Sequence, residues 1–422
     1  MKLRDLSEDE LKARQSELKA VYDQFKESRL SLDLTRGKPS TEQLDLSNDL
    51  DGILEGFFLL QDGTDVRNYG GILGIPEARQ LGADILSLQP SQVLVGGNSS
   101  LTLMYNLIAH MIPEWQGEKQ ASNSKVKFIC PVPGYDRHFT ICESFDIEMI
   151  NVNFLPSGPD METIEELVAR DPMIKGIWCV PKYSNPSGHS YDDDTVKRFA
   201  KLGNLAGADF RIMWDNAYVA HHLTDKPVRL PDLMALAQEA GTEDSVVMFA
   251  STSKVTFAGA GISFLGTSEK NLKAFEKFLV PQVISFDKVN QLRHVRFLKD
   301  LDTLAAHMNK HRALLEPKFD MVQKKLQAAV GDKDIAEWTR PDGGYFISLN
   351  TLPGIASVVV ELAANAGVKL TPAGATFPYG LDPENRNIRV APTFPSLEDL
   401  EKALDVFVVC LELASLNHLL AQ

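Results

Sequence analysis

Val246-Val247-Met248-Phe249-Ala250-Ser251-Thr252-Ser253-Lys254 decides the fold of this chain. Its first five residues form an unbroken apolar run of strand length, which reads as a strand buried on both faces of a parallel sheet. Three hydroxyl residues then lead into a lysine, and Ala258-Gly259-Ala260-Gly261 follows. A lysine carried by a buried strand into a turn of small residues is not a solvated surface charge. Burial disfavours its charged form, so the amine pKa falls and the group becomes a nucleophile toward a carbonyl.

Working outward, β-rich runs at 93–96, 126–130, 147–152, 174–180, 210–215, 246–250 and 262–266 alternate with helical patterns at 101–112, 160–170, 193–206 and 231–240. That alternation predicts an α/β fold, with a mostly parallel seven-stranded sheet between helices. Ligands of such sheets bind beyond the carboxyl ends of the strands. Residues 7–29 read as an amphipathic helix with a Ser7/Glu10 capping box and Leu18, Val21, Tyr22 and Phe25 on one face. Residues 287–330 read as helical. A strand at 344–349, a helix at 354–366, a strand at 387–390 and a helix from about 396 make a smaller α+β domain, joined by the N-terminal helix. The boundaries expected are 1–45 for the N-terminal part of the small domain, 46–300 for the large domain and 301–422 for the C-terminal part.

The 422 residues are 44% hydrophobic and 24% charged, enough for a sizeable core, and the net charge is −14. This acidity argues against nonspecific nucleic-acid binding and against adhesion to anionic membranes. None of the four cysteines (130, 142, 179 and 410) lies in a C-x-x-C pair, which suits reduced core residues of a cytoplasmic protein. Residues 1–6 lack the apolar region of a signal peptide. No run of about 18 apolar residues stands out, so no transmembrane helix is expected.

The motifs with chemistry in them lie just past the predicted strand ends. Gly96-Gly97-Asn98-Ser99-Ser100 runs from strand to helix, where backbone N–H groups and the helix dipole form an anion cradle; an ordinary capped helix is the alternative. Dinucleotide and P-loop glycine patterns are missing from the sequence. Asp215 ends a buried strand, and a buried carboxylate needs a positive partner. A protonated pyridine nitrogen would be one, with Tyr218 three residues on. Asn185-Pro186-Ser187-Gly188 is a tight turn that aims the Asn side chain, and Pro133-Gly134-Tyr135 offers an aromatic face. Arg389 alternates with apolar residues in a strand, and its guanidinium fork suits a carboxylate. His307 and His311 are four apart but lack the Glu of an H-E-x-x-H, so they read as a solvated helix face. His221 and His222 are adjacent and face apart. No metal site is expected.

Taken in order, these motifs resemble the fold-type I pyridoxal-phosphate-dependent class I aminotransferases. The similarity spans nearly the whole chain: Gly37, Tyr69-Gly70-Gly71, Gly96-Gly97-Asn98-Ser99, Pro133-Gly134-Tyr135, Asn185-Pro186-Ser187-Gly188, Asp215-x-x-Tyr218, Ser251-Thr252-Ser253-Lys254, Gly343-Gly344-Tyr345-Phe346 and Arg389. Thr35-Arg36-Gly37-Lys38-Pro39 and Lys254-Val255-Thr256-Phe257-Ala258-Gly259 look like the bacterial aspartate aminotransferase subgroup 1C. The resemblance implies that Lys254 forms a Schiff base with pyridoxal 5'-phosphate and later carries the substrate proton. It implies that Asp215 pairs with the pyridine nitrogen and that Asn185 and Tyr218 bind the ring oxygen. Tyr135 would stack on the ring. Gly97, Asn98, Ser99 and Ser251 would hold the phosphate, and Tyr69 would reach it from the neighbouring subunit of a homodimer with shared active sites. Arg389 would clamp the substrate carboxylate, with Gly37 nearby.

One departure stands out. The commoner pattern has a phosphate-binding arginine eight residues after the lysine, where this chain has Ile262. The expected reaction is ping-pong transfer of an amino group from an L-amino acid, aspartate first, to a 2-oxo acid, 2-oxoglutarate first. Arg36, Arg137 and Lys288 are candidates for the distal carboxylate, and Asn98 could add a hydrogen bond. An alanine, aromatic or kynurenine substrate range, a β-lyase and a non-enzymatic binding module are the alternatives. The last would need a DNA-binding domain for which the N-terminal segment is too short.

Overall fold

The structure, a computed structural model, describes residues 2–122 and 124–422, with the backbone alone at 118–122. The chain begins with α1 (Glu8–Glu27), β1 (Leu32–Leu34), α2 (Thr41–Asp45), α3 (Pro76–Leu86), β2 (Val93–Val95), α4 (Ser100–Ser122), β3 (Lys127–Val132) and α5 (Asp136–Ser144). It continues through β4 (Glu148–Leu155), β5 (Gly158–Pro159), α6 (Met161–Arg170), β6 (Ile174–Cys179), α7 (Asp193–Lys201), β7 (Arg211–Asp215), α8 (Leu233–Ala240), β8 (Val246–Ser251) and β9 (Ser263–Thr267). The last third holds α9 (Glu269–Leu279), α10 (Lys288–Leu298), α11 (Leu301–Val330), β10 (Ala336–Trp338), β11 (Ile347–Thr351), α12 (Ala356–Asn365), β12 (Val368–Leu370), β13 (Asn387–Val390) and α13 (Leu397–Leu420).

The large sheet has the order β2-β9-β8-β7-β6-β3-β4-β5. Strands β8, β7, β6, β3 and β4 are parallel neighbours, whereas β9 runs antiparallel to β8 and β2. It therefore has eight strands rather than the seven read from sequence. The extra one, β5, is a two-residue return pairing with the end of β4, too short to leave a periodic signal.

Alternation along each strand sorts side chains to the two faces of the large sheet, whose apolar layers make up the first core. Val246, Met248 and Ala250 of β8 pack with α3, α6, α7 and α8, while Val247 and Phe249 pack with α4, α5 and α9. The sheet is thus a middle layer between helices, and the carboxyl ends of its parallel strands open on one side.

A second core joins the two ends of the chain. Leu11, Leu18 and Tyr22 of α1 pack with Phe319, Val322 and Leu326 of α11 and with Leu404, Phe407 and Leu411 of α13. Around it lie the antiparallel sheet β10-β11-β13 and the parallel pair β1-β12. Val21, grouped with the buried stripe by helical spacing, lies at its margin and is 37% exposed. Helix α11 bridges the cores: Leu304 and Met308 belong to the first, and Phe319 onward to the second.

Three sequence expectations change. Helix α4 runs through Pro113 instead of ending at 112, and the buried Trp115 beyond it packs edge-on to Phe128. That packing outweighs the N–H lost at proline. The stretch 287–330 is two helices, broken where Lys299 takes φ 51° and Asp300 caps α11. Helix α13 is long and apolar enough to span a bilayer, contrary to the sequence reading, but 61% of its apolar window is buried within this protein. It is a core helix that composition cannot distinguish from a membrane span.

Candidate active site

The strand ends build one cavity of about 710 Å³. Strand β7 delivers Asp215, β8 delivers Ser251 and then Lys254, the turn after β6 delivers Asn185, and the turn after β3 delivers Tyr135. Helix α4 starts beside it at Ser100, with Ser99 just before. Arg36 and Gly37 from the N-terminal loop, with Phe346 and Arg389 from the last third of the chain, close the other side. One cavity therefore gathers Lys254, Asp215, Tyr218, Tyr135, Asn185, Ser99, Ser251, Arg389, Gly37, Arg36 and Arg137.

Lys254 is only partly exposed to solvent. Its Nζ lies 4.9 Å from the Tyr218 ring centroid and 5.9 Å from that of Tyr345, and among the described residues no carboxylate lies within ion-pair distance. Burial depresses its pKa, partly opposed by the nearby Asp215 charge. Asp215 is buried, its Oδ2 3.1 Å from His138 Nε2. Its Oδ1 is buried without a hydrogen-bond partner among the described residues. The His138 ring stacks on Trp178 at 4.3 Å, which fixes the imidazole behind the carboxylate. Burial raises the Tyr135 hydroxyl to about 12 and drives that of Tyr218 well above its ordinary value. Both hydroxyls stay protonated at neutral pH and can donate.

Arg389 projects from β13 between Ile388 and Val390 and is buried. Its Nη1 donates to Asn185 Oδ1 at 3.2 Å and to Asp136 Oδ1 at 3.2 Å. The guanidinium carbon stands 4.8 Å from the Phe346 ring centroid. Gly37 can approach this ring only because it has no side chain.

Four sequence candidates lie outside the cavity lining. Gly97 and Asn98 sit behind Ser99, and Asn98 Nδ2 donates to Gly259 O at 3.2 Å. Tyr69 is 82% exposed, away from the cavity of its own chain. Lys288 is buried and donates to Tyr69 O at 3.4 Å. Ile262 is also buried, in the core under the sheet.

The histidines read as a solvated face are a correction: His307 and His311 are both buried. His307 Nε2 contacts Val255 O at 2.8 Å and His311 Nε2 at 3.2 Å. Gln43 Nε2 donates to His311 Nδ1 at 3.1 Å and to Tyr345 Oη at 3.0 Å. Tyr345 Oη in turn donates to Lys254 O at 3.4 Å, and His221 Nε2 contacts the same carbonyl at 3.1 Å. A buried polar network thus grips the backbone of Lys254 and Val255 from α2, α11 and the segment before β11. Helical spacing put the two imidazoles on one face; which way that face pointed depended on tertiary packing. His138, three residues after Tyr135 on α5, was open to the same spacing argument. Asp136, Ser100, Ser253 and Phe346 also line the cavity; the last three lie inside motifs quoted from the sequence, whereas Asp136 had no local signal of its own.

A model of the aspartate amino-transferase family matches residues 6–422. The chain is 44% identical over 425 residues to an aspartate aminotransferase of Corynebacterium glutamicum, covering 99% of this chain and 97% of that one. It superposes on the crystal structure of an aspartate transaminase from Corynebacterium glutamicum with TM-score 0.95 and 44% identity, covering 99% of both chains. LysN, an α-aminoadipate aminotransferase from Thermus thermophilus complexed with N-(5'-phosphopyridoxyl)-L-leucine, matches with TM-score 0.74 over 93% of each chain. At 19% identity that likeness is one of fold.

Proposed function

The chain belongs to the aspartate aminotransferase family and is an aminotransferase; we propose that it moves the amino group of an L-amino acid, aspartate foremost, to a 2-oxo acid, 2-oxoglutarate foremost, on pyridoxal 5'-phosphate held at Lys254. One observation carries the cofactor reading. An amine with no carboxylate in pairing distance among the described residues shares a cavity with Asp215, whose buried Oδ1 also lacks a partner there. A nucleophile and a carboxylate with one unpartnered oxygen on one cavity fit a ligand with an electrophilic carbon and a cationic ring nitrogen.

When bound, the cofactor supplies that carbon and an electron-accepting ring. Asp215 would hold the pyridine nitrogen, with His138 keeping the carboxylate in place. Asn185 and Tyr218 would meet the ring oxygen, and Tyr135 would cover the ring face. Ser99, Ser100, Ser251 and Ser253 with the first N–H groups of α4 would take the phosphate. This hydroxyl-rich cradle suits a chain with isoleucine at position 262. Lys254, with its depressed pKa, is suited to take a proton from the substrate α-carbon and return it. Arg389 would orient the substrate by its carboxylate, as a guanidinium fork does.

The aspartate reading rests on the cations beyond Arg389. Arg36 and Arg137 both line the cavity, and either could meet a second carboxylate. Tyr69, exposed and backed by Lys288, is suited to serve a neighbouring subunit in a cytoplasmic homodimer. Residues 46–300 would form the cofactor domain, with 1–45 and 301–422 as the small domain. Half-reaction spectra with aspartate, alanine, kynurenine and aromatic amino acids test the proposal. A purified protein without a cofactor band near the visible edge rejects the cofactor, and a band unmoved by aspartate rejects the substrate.

A further inference from the structure

Arg389 is already engaged by a carboxylate of its own chain. A guanidinium Nη carries two N–H bonds, and Nη1 spends both, on Asn185 Oδ1 and Asp136 Oδ1, each at 3.2 Å. Two-point capture of a substrate carboxylate through both terminal nitrogens requires one of these contacts to yield. The Nε atom is buried and has no hydrogen-bond partner among the described residues; capture through it would leave Asp136 in place, and Asp136→Asn would then not change the affinity. The two acceptors differ. Asn185 is 4% exposed and fixed in its turn, whereas the Asp136 side chain is 34% exposed and starts α5. Asp136 is therefore the one free to move. It is also the same chemical group as the incoming ligand, held to the same nitrogen.

We propose that Asp136 is a carboxylate latch on Arg389, holding the guanidinium in plane until a substrate carboxylate displaces it. It is a positioning residue that acts through the arginine. Each binding event breaks the Asp136–Arg389 pair, so the latch weakens carboxylate binding and speeds release. The inference rests on the reading that Arg389 receives the substrate carboxylate.

Calorimetric titration of the full-length protein as purified, with succinate and with propionate, tests it without turnover. Asp136→Asn should tighten both ligands by about tenfold, the worth of one partly exposed charge-assisted bond. Asp136→Glu should return affinity toward the parent value. In turnover with aspartate, Asp136→Asn should lower KM while kcat does not rise. Unchanged or weaker binding in Asp136→Asn overturns the latch. A gain confined to succinate also overturns it, because it would put Asp136 beside the distal carboxylate instead. If Asp136→Glu behaves like Asp136→Asn, the effect is packing rather than charge, and the latch falls. If Arg389→Gln binds succinate as the parent does, the arginine is not the anchor and the latch falls with it. Tightened succinate binding in a protein that does not turn over aspartate keeps the latch and removes the aspartate reading.

Discussion

Gly37 lies so close to Phe346 that a Cβ built on it would stand 2.4 Å from the ring Cζ. That ring is also the platform under Arg389, 4.8 Å from the guanidinium carbon. The N-terminal loop, an aromatic ring and the carboxylate-binding arginine are therefore stacked in one line, with no room for a methyl group.

Gly37→Ala should push Phe346 out from under Arg389. The overpacking should cost about 1–3 kcal/mol of stability, read by denaturant unfolding. The displaced arginine should raise KM for the amino acid by roughly tenfold, the scale of a few lost contacts worth about 1.4 kcal/mol. A Gly37→Ala variant with parental KM would show that the stack does not set the arginine's position.

Lys254→Ala should abolish turnover, by at least the 10²–10⁴-fold typical of a lost proton-transfer group, with little loss of melting temperature. Lys254 has no carboxylate within ion-pair distance among the described residues and its nearest aromatic ring centroid is 4.9 Å from Nζ, so truncating it breaks no salt bridge. A variant that still transaminates would move the chemistry to another residue.

The network under Lys254 should make the protein acid-sensitive in a defined window. Burial, helped by the charge of His307, lowers His311 from 6.5 to about 4. The unfolded chain therefore binds a proton that the folded one refuses between these values. The His311 contribution is fully present above pH 6.5 and is lost as pH falls toward 4, by up to about 3 kcal/mol. Denaturant unfolding between pH 7 and 4 should show a shallower slope for His311→Gln than for the parent. Equal slopes would mean that the imidazole is protonated in the folded protein.

Shared sites can be tested by mixing. Lys254→Ala and Tyr69→Ala subunits, unfolded and refolded together, should regain about a quarter of the parental sites, because half of randomly paired dimers are hybrids with one intact site. No recovery above the two parents would confine Tyr69 to its own chain.

Much of this protein was legible from local pattern. Each of the seven longer strands of the large sheet lies where an apolar run met a turn signal; six of them are buried along nearly their whole length, where mostly apolar side chains fit, and β4 is partly exposed. The spacing of Gly96-Gly97, Asn185-Pro186 and Ser251 to Lys254 pointed to one side of that sheet, since parallel strands expose their carboxyl ends together. What failed was whatever depended on which neighbour covers a face. His307 and His311 share a helical stripe, yet only the approach of Gln43 and the Val255 carbonyl makes that stripe an interior. Helix α13 passes for a membrane span until α1 and α11 are seen packed on it.

The sequence alone pointed to the layered sheet, the lysine at its strand end and many of the side chains that line the cavity, because periodicity and turn chemistry act over a few residues. Only the tertiary structure decided that Arg389 meets Asp136 across 253 positions, that Asn98 turns to Gly259 instead of into the cavity, and that Gly37 must stay bare against Phe346. Those outcomes are set by contacts between segments far apart in the chain, and such contacts exist only once the two cores have closed on each other.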